Sequence, residues 1–290
     1  MSWRTVVVSK RAKLDYSQGY MFCRGEDVRR VHLSEMRMLI VESTAVSLTA
    51  ALLCELIHHN IKVIFCDECY NPQSELVPYT GSHDTADKVR LQIGWDPLIC
   101  EAVWTDIIRN KMVQQAALLR RLRMQDGADK IESYLEGLLP NDTSNREGMA
   151  ARIFFNSLYE KRFSRSDKSL SVNKALNYGY AILLSAINRE IAANGYMMQL
   201  GLHHIGNTNP YNLGCDLMEP FRPLVDEIVY HLAPEKFETE EKRVLQALLE
   251  VSVKQQGEER YLSTAIECYV RSVFRALCES DISKIIYYVK

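Results

Sequence analysis

Residues 200–223 bring together side chains that could bind a divalent metal ion. His203 and His204 precede a loop rich in Gly, Asn and Pro, and the acids Asp216 and Glu219 follow that loop. Because three positions separate the two acids, a helical turn would place both carboxylates on one face. One imidazole with carboxylate oxygens suits Mg²⁺ or Mn²⁺ better than Zn²⁺, since no cysteine pair joins the set. The stretch therefore predicts a magnesium or manganese site.

The residues around these four indicate how such a site is built. Adjacent residues rarely point into one site, so we expect only one of the two histidines to act in it. Pro220 and Pro223 should stop or kink the helix that carries the acids, where a ligand can reach them. Asp226 and Glu227 follow one helical stretch later and are expected to be surface charges.

A third acid, Glu147, lies in a Ser-Asn-Arg-Glu-Gly turn at the start of a predicted helix. It stands three residues after Ser144, which is the spacing of a capping box. A purely structural role and a role in the site are therefore equally open for Glu147.

Basic residues cluster in two runs of the same half. Residues 107–125 carry five bases and no acid: Arg109, Lys111, Arg120, Arg121 and Arg123. Residues 146–174 carry seven bases against three acids: Arg146, Arg152, Lys161, Arg162, Arg165, Lys168 and Lys174. Beside an acidic metal site, the set is typical of phosphate contacts, whereas each base singly is better explained as part of a solvated helix face.

The composition is that of an ordinary globular protein. The chain has 290 residues, of which 47% are hydrophobic and 25% charged, and its net charge is −2. That charge offers no global attraction to nucleic acid, so any binding must come from local patches. We expect no secretory signal, no membrane span, and a cytoplasmic setting in which the eight cysteines stay reduced. The lone pair Cys66 and Cys69 is expected to be incidental rather than a redox or zinc site.

The two halves of the chain differ in predicted secondary structure. Strand patterns occupy residues 3–8, 13–16, 20–23, 28–33, 38–41 and 61–66, with a hairpin turn at 17–19 and one helix at 49–60. Residues 71–88 mix Pro, Gly, Ser and charge, which is typical of a linker. Helical patterns follow at 96–123, 128–138, 145–162, 173–195, 221–232, 240–254 and 262–277. We therefore expect a strand-rich domain, residues 1–80, and a helical domain, residues 81–290, which carries the candidate site.

Four motifs, in order, resemble one known family. They are SNREGMAARIFFN (144–156), LNYGYAILLSAINRE (176–190), LGLHH (200–204) and NLGCDLMEPFRPLVD (212–226). The opening WRTVVV, HLSE at 32–35 and VIFCD at 63–67 match as well, so the resemblance covers most of the chain. The family is that of the CRISPR-associated spacer-acquisition integrases, also described as DNA endonucleases. The DLMEPFRP motif and the chain length resemble the type II branch, which accompanies single-protein effector nucleases.

The resemblance implies an α+β fold with two domains. The first would be an N-terminal β-sandwich-like dimerisation domain, and the second a larger all-helical catalytic domain. It also implies a homodimer that assembles with a small second Cas protein and acts on DNA, both captured fragments and the CRISPR repeat. Other adaptation proteins and the effector nuclease are further candidate partners, and no membrane is involved.

Position by position, the resemblance implies roles for five residues. The family's metal-binding glutamate falls on Glu147, and its histidine falls on His204, because the family motif is Leu-x-His. Its paired acids fall on Asp216 and Glu219, and its basic residue falls on Arg222. Many members carry Asp where this chain carries Glu219, so the resemblance leaves open whether Asp216 binds the metal or orients a ligand.

The implied reaction is a transesterification. The 3′ hydroxyl of a captured fragment attacks a phosphodiester at the repeat boundary, while the metal and Arg222 neutralise the charge that builds there. Water in place of that hydroxyl would make the same site a nuclease. Two alternatives stay open: a metal-dependent nuclease that acts on branched DNA in repair, and a non-catalytic DNA-binding scaffold. The joint presence of Glu147, His204 and Glu219 argues against the scaffold.

Overall fold

Strands fill the first part of the chain and helices most of the rest, so the fold is α+β, as expected. The structure, a computed structural model, describes residues 4–68, 70–78, 82–159 and 163–290. The strands are β1 (Arg4–Val8), β2 (Lys13–Ser17), β3 (Tyr20–Arg24), β4 (Val28–His32), β5 (Met36–Val41), β6 (Ser47–Leu48), β7 (Lys62–Cys66), β8 (Pro72–Leu76), β9 (Ser252–Gln255) and β10 (Glu258–Tyr261). The helices are α1 (Ala50–His58), α2 (Thr85–Ile93), α3 (Pro97–Arg121), α4 (Gln125–Glu136), α5 (Arg146–Tyr159), α6 (Ser171–Ala193), α7 (Asn212–Met218), α8 (Arg222–Leu232), α9 (Thr239–Gln246) and α10 (Leu262–Glu279).

The N-terminal strands form two four-stranded sheets that share one hydrophobic core. One sheet has the order β1-β5-β7-β8, in which β1, β5 and β7 are parallel, and the other has the order β4-β3-β2-β6. Leu39 and Val63 come from the first sheet, Leu14 and Met21 from the second, and α1 adds Leu52; all five are almost fully buried. Removing this apolar surface from water, at about 25 cal/mol per Å², stabilises the packing of the two sheets.

Strand β5 is buried along its whole length because both of its faces are covered. Leu39 and Val41 belong to the core between the sheets, whereas Met38 and Ile40 pack with residues of the helical half. This alternation follows from the two-residue period of a strand. A strand that is covered on both faces has a nearly continuous apolar sequence, and β5 has the sequence MRMLIV.

Buried ion pairs join two strands of the first sheet and link that sheet to the helices. Arg37 of β5 donates to a carboxylate oxygen of Glu190 in α6 at 3.1 Å and to the carbonyl oxygen of Ser263 in α10 at 2.6 Å. Lys62 of β7 pairs with Glu75 of β8 at 2.6 Å. Charges are tolerated in such places only when paired, because an unpaired buried charge is costly. The first sheet is therefore the middle layer, between the second sheet and the helices.

Two hairpins turn on the dipeptide Gln-Gly. The central residues Gln18 and Gly19 have φ of 49° and 82°, and Gln256 and Gly257 have φ of 54° and 82°. A two-residue turn with positive φ at both positions matches the right-handed twist of the flanking strands. The hairpin at 17–19 confirms its prediction.

The second hairpin lies where a continuous helix, 240–254, was predicted, and that part of the prediction is wrong. Helix α9 ends at Gln246, and β9 then pairs antiparallel with β10. In β9, Val253 and Gln255 are buried and their neighbours exposed, which is the alternation of a strand. Strand β9 has only four residues, so it changes the helical periodicity of the sequence very little. The Gln256-Gly257 pair nevertheless indicated a turn just after it.

The predicted linker, residues 71–88, is partly regular structure. Strand β8 pairs antiparallel with β7, and α2 begins at Thr85. The sequence of β8, PQSEL, lacks the apolar residues from which a strand is predicted.

Residues 79–81 lie outside the described part of the chain, as do residue 3 of the first predicted strand and residues 160–162 of a predicted helix. Among the described residues, no helix is both long and apolar enough to cross a membrane.

Candidate active site

A kink between α7 and α8 carries three of the candidate residues. Helix α7 ends at Met218, a single 3-10 turn spans Glu219–Phe221, and α8 begins at Arg222. Pro220 and Pro223 lack backbone N–H groups, so a regular helix cannot run through this segment. The kink was predicted, and it directs the buried side chains of Asp216 and Glu219 toward neighbouring elements.

Asp216 holds the segment that precedes α7. One carboxylate oxygen, Oδ2, accepts from the backbone N–H groups of Leu202 at 2.6 Å and His203 at 3.1 Å. The other, Oδ1, accepts from the backbone N–H of His204 at 3.2 Å and lies 2.5 Å from Nδ1 of the same residue. Because a carboxylate only accepts, Nδ1 is the protonated nitrogen and Nε2 is left available. This hydrogen bond with Asp216 raises the pKa of His204 despite partial burial.

The two histidines have different surroundings. The ring of His203 stacks on Trp104 of α3, with centroids 4.4 Å apart and planes 7° from parallel. Its Nδ1 lies 2.9 Å from Oδ1 of Asn141. The ring of His204 meets Trp104 edge-on at 5.7 Å. His203 is thus held by stacking on Trp104, while His204 is oriented by the buried carboxylate of Asp216.

Glu147 lies in the first turn of α5, and another residue caps that helix. Asp142 accepts from the backbone N–H groups of Arg146 at 2.7 Å and Glu147 at 3.0 Å. The hydroxyl of Ser144 instead donates to the carbonyl oxygen of Gly137. The capping-box interpretation of Ser144 and Glu147 is therefore wrong, and the carboxylate of Glu147 is free to face the interior of the molecule.

Lys111 of α3 joins two of the candidate acids. Its Nζ lies 2.5 Å from Oε1 of Glu147 and 2.5 Å from Oε2 of Glu219. Burial by itself would lower the pKa of Lys111, but Glu219 and Glu147 outweigh it and raise that pKa. Burial would likewise raise the pKa of Glu219, but Lys111 and Arg222 lower it overall. Lys111 and Glu219 are therefore both charged at neutral pH.

The sequence analysis missed this role of Lys111 and grouped the residue with the phosphate-binding bases, which is wrong for a side chain only 9% exposed. A signal was present in α3. Trp104, Ile108, Lys111 and Leu118 follow one another at helical spacing, and all are buried. A lysine on such a face needs a buried partner.

Arg222 connects the site to a third buried acid, Asp226. Its Nε lies 2.8 Å from Oε1 of Glu219, and its guanidinium lies 4.7 Å from the ring centre of Tyr180. The hydroxyl of Tyr180 donates a short hydrogen bond to Asp226, which is only 1% exposed. Burial raises the pKa of Asp226 to about 7, although the Tyr180 hydrogen bond acts in the opposite direction.

Asp226 and Glu227 were predicted to be surface charges, and both predictions are wrong. Asp226 faces Tyr180 of α6, and Glu227 pairs with Arg121 of α3 at 3.1 Å and with Lys290 at 2.6 Å. Both acids are buried because α8 packs against both α3 and α6. From sequence alone, their position after the kink gave no sign of these contacts.

The predicted basic runs divide into paired and unpaired residues. Arg120 pairs with Asp129 at 3.0 Å and with Glu132 at 2.5 Å. Arg165 donates to the side-chain oxygens of Asn173 and Asn177. Five other bases of the two runs are exposed and form no ion pair with another described residue: Arg109, Arg123, Arg152, Lys168 and Lys174. Lys161 and Arg162 lie outside the described residues.

Two features bear on metal binding. Within the ranges that the structure describes, no three His, Cys, Asp or Glu side chains are arranged as ligands around one point. The donor types nevertheless fit a divalent cation, since Glu147 and Glu219 converge on a shared cation, the Lys111 ammonium, and His204 keeps Nε2 available.

Burial raises the pKa of the Cys66 thiol to about 12, which makes it unreactive, and Cys69 lies outside the described part.

Comparisons with known proteins show the family to which this chain belongs. The family model of the CRISPR associated protein Cas1 matches residues 5–265. The CRISPR-associated endonuclease Cas1 of Neisseria meningitidis serogroup C is 32% identical over 234 residues, which cover 80% of this chain and 76% of that protein.

Solved structures share the fold. One is a casposase bound to an integration product, with a TM-score of 0.76 and 20% identity, covering 98% of this chain and 94% of that one. Another is a Cas6-RT-Cas1–Cas2 complex, with a TM-score of 0.74 and 14% identity, covering 97% of this chain and 36% of that one. The extent of the family match and the identity to the Neisseria protein together place this chain in the Cas1 family of CRISPR-associated proteins.

Proposed function

We propose that this chain is a divalent-metal-dependent DNA integrase and endonuclease of CRISPR adaptation. It would join a captured DNA fragment to the CRISPR array through attack of the fragment's 3′ hydroxyl on a repeat phosphodiester. The observation that carries the proposal is the convergence of Glu147 and Glu219 beside an oriented His204, in a member of the Cas1 family.

The carboxylates of Glu147 and Glu219 and Nε2 of His204 would hold Mg²⁺ or Mn²⁺. A bound divalent cation polarises the phosphoryl oxygen and offsets the negative charge that builds on it. Asp216 would act through His204, because its carboxylate fixes the ring and keeps Nδ1 protonated. The geometry thus supports an orienting role for Asp216 rather than direct metal binding.

Arg222 lies where it can bind a phosphate oxygen. Its side chain is 29% exposed, and Tyr180 supports one face of the guanidinium. A guanidinium beside the reacting phosphate neutralises charge as it develops. In the reaction, the fragment's 3′ hydroxyl loses its proton and forms a new P–O bond to the phosphorus at the 5′ end of the repeat, and the bond from that phosphorus to the 3′ oxygen of the flanking nucleotide breaks. That oxygen leaves and takes up a proton, whereas attack by water would give hydrolysis.

The partners follow from the same assignment. The structural neighbours include one casposase bound to an integration product and one complex that contains Cas2. For this chain we infer DNA as substrate, a small Cas2-type protein as partner, a homodimeric state, and a cytoplasmic location. Other adaptation proteins and the effector nuclease are further candidates. We also infer that residues 1–80 form a dimerisation domain and residues 81–290 the catalytic domain.

A joining assay tests the proposed function. Donor DNA with a free 3′ hydroxyl, a CRISPR repeat, Mg²⁺ or Mn²⁺ and the Cas2-type partner should give joined product. Glu147→Ala, His204→Ala and Glu219→Ala should each abolish joining but leave DNA binding largely intact, because the metal stabilises the transition state. His203→Ala is the matched control, since that ring stacks on Trp104, and its effect should be much milder.

The outcomes separate the proposal from its alternatives. Blocking the donor 3′ hydroxyl should stop joining and spare hydrolytic nicking. A repair nuclease would cut branched DNA without forming a joined product, and a scaffold would bind DNA without either product. Joining by all three ligand variants would exclude the metal site proposed here.

A further inference from the structure

Lys111 occupies the point at which Glu147 and Glu219 converge. Each carboxylate has an oxygen 2.5 Å from Nζ, slightly longer than the roughly 2.1 Å at which Mg²⁺ binds oxygen. The second oxygen of Glu219 faces Arg222 at 2.8 Å. Both oxygens of Glu219 are therefore next to a cation already.

With Arg222 beside Glu219, two cations face the two carboxylates, so the cluster is balanced in charge and a lysine is tolerated there. A buried ammonium is costly unless paired, and two neighbouring carboxylates repel each other unless they share a cation. Lys111 satisfies both conditions at once, since it comes from α3 and contacts one acid on α5 and another at the α7–α8 kink. A divalent ion shared by the same carboxylates would satisfy the acids equally well, but the ion and the ammonium cannot occupy one point.

We propose that Lys111 is the exchangeable counter-cation of this site: it holds Glu147 and Glu219 together, and it must leave that point when a divalent ion binds. The inference rests on the metal-binding role proposed above. Lysine suits the exchange because its ammonium is a point charge on a flexible four-carbon stem, so it can withdraw without movement of α3.

Exchange has two measurable consequences. Replacing Lys111 by methionine keeps an unbranched stem but removes the charge, so the carboxylates repel each other and the protein loses stability. The same repulsion favours a divalent ion, which no longer competes with an ammonium. The variant should therefore bind Mn²⁺ more tightly than the wild type, and Mn²⁺ should restore its stability.

Lys62 provides a matched control. It is buried, 5% exposed, and pairs with Glu75 at 2.6 Å in the first sheet, away from the candidate site. Lys62→Met also breaks a buried ion pair and should lower the melting temperature. It should change neither Mn²⁺ affinity nor the response of the melting temperature to Mn²⁺.

The experiment measures Mn²⁺ binding to the full chain without DNA, by calorimetric titration, and melting temperatures with Mn²⁺ or with a chelator. We expect Lys111→Met to bind Mn²⁺ at least about tenfold more tightly than the wild type, because a full competing charge is removed at contact distance. Lys111→Arg keeps the charge and should retain an affinity near that of the wild type. In the chelator the melting temperature of Lys111→Met should fall, and Mn²⁺ should restore it.

Amine labelling of the wild type adds a readout that does not depend on the variant's folding. An amine-reactive reagent followed by mass spectrometry should modify Lys111 slowly without Mn²⁺ and faster with it, while Lys62 stays protected in both conditions. The inference about Lys111 would be overturned if the labelling rate of Lys111 were the same with and without Mn²⁺, or if Lys111→Met bound Mn²⁺ no more tightly than the wild type. Either result would leave the proposed metal role standing. Failure of both wild type and Lys111→Met to bind Mn²⁺ would overturn the proposed metal role as well.

Discussion

Asp216 engages three consecutive backbone N–H groups and one imidazole with its two oxygens. A single carboxylate thereby sets both the path of the chain before α7 and the orientation of His204. Such a group acts on chemistry through another residue, so its removal should alter the titration of that residue as well as the rate.

The pH profile of joining tests this role. The hydrogen bond to Asp216 raises the pKa of His204, and a protonated imidazole cannot bind a metal. Activity should therefore fall as the pH drops through that raised pKa. In Asp216→Asn the stabilised imidazolium is lost, so the acidic limb should move to lower pH while the maximal rate falls by about 10–100-fold.

Joining rates measured from about pH 5 to about pH 9 would reveal the shift. His203→Ala serves as control, because its acidic limb should stay in place. An acidic limb that is identical in the wild type and Asp216→Asn would show that Asp216 acts on the site by some route other than His204.

For individual residues, the types found in the candidate site could be predicted from the sequence, whereas the residues that they contact could not. The acids and histidine of the site occur in short motifs, so their chemistry could be read from the chain. Lys111 lies 36 residues from Glu147 and 108 from Glu219, and only the packing of α3 brings them together. Periodicity shows that a position is buried, but it does not show which charge will meet it.

Among the elements, α5 shows how local structure positions a functional side chain. Asp142 supplies the cap, whereas the spacing of Ser144 and Glu147 had left a capping box open. Asp142→Ala should cost about 0.5–2 kcal/mol of stability and reduce joining, since the first turn of α5 carries Glu147. Thermal unfolding and the joining assay would both report the change.

Ser144→Ala is the natural comparison for the cap. Its hydroxyl donates to the carbonyl of Gly137 and not to a helical N–H, so this variant should be the milder of the two. If Ser144→Ala destabilised the protein more than Asp142→Ala, the cap would be assigned to the wrong residue.

The contact between α6 and α8 should make stability depend on pH. Burial raises the pKa of Asp226 to about 7, whereas the unfolded chain releases this proton near 3.8. Between those values the folded state holds the proton and the unfolded state does not, so stability falls as pH rises through about 7. Each pKa unit corresponds to about 1.4 kcal/mol, so the loss is on the order of 4 kcal/mol at most.

Asp226→Asn cannot ionise and should escape this loss. Its stability relative to the wild type should increase between about pH 4 and about pH 8, as measured by denaturant unfolding at several pH values. A constant difference between the two proteins across that range would mean that Asp226 titrates normally.

Elements were predicted well where their apolar pattern was clear, even in five-residue strands such as β2 and β3, and poorly where that pattern was absent. Helices α3 and α6 are long and periodic, and both were found close to their observed bounds. Strand β8 has a polar sequence, and β9 has four residues, so neither has a pattern that exceeds its surroundings. Their pairing partners, β7 and β10, determine that they form strands.

For the whole molecule, the exposed unpaired bases are the most direct guide to DNA binding. The paired Arg120 and Arg121 are less suited to phosphate contacts than Arg109, Arg123 and Arg152, because bound carboxylates already offset their charge. Replacing those last three by alanine should weaken DNA binding without unfolding. The slope of log affinity against log salt should shrink by about 0.9 for each duplex phosphate that the variant no longer neutralises.

Arg120→Ala with Arg121→Ala is the control, and it is compared per residue because it removes two surface charges rather than three. It should weaken DNA binding less per residue, since these guanidiniums mainly contact acids of the same chain. Equal reductions in affinity per residue in the two variants would mean that ion pairing within the chain does not decide which bases meet DNA.

The proposed homodimer concerns the N-terminal sheets. Strand β4 lies at the edge of its sheet, where no other strand of the described residues pairs with its outer side, and Val28 on it is 63% exposed. Uncovered edge strands are prone to pair with another chain, so a second copy is a suitable cover.

Light scattering should give about twice 33.4 kDa at micromolar concentration. Val28→Glu should shift the mass toward the monomer, while Leu98→Glu, at a 74% exposed position of α3, should not. A wild-type mass near 33.4 kDa would exclude the dimer, and equal effects of the two variants would place the interface away from β4.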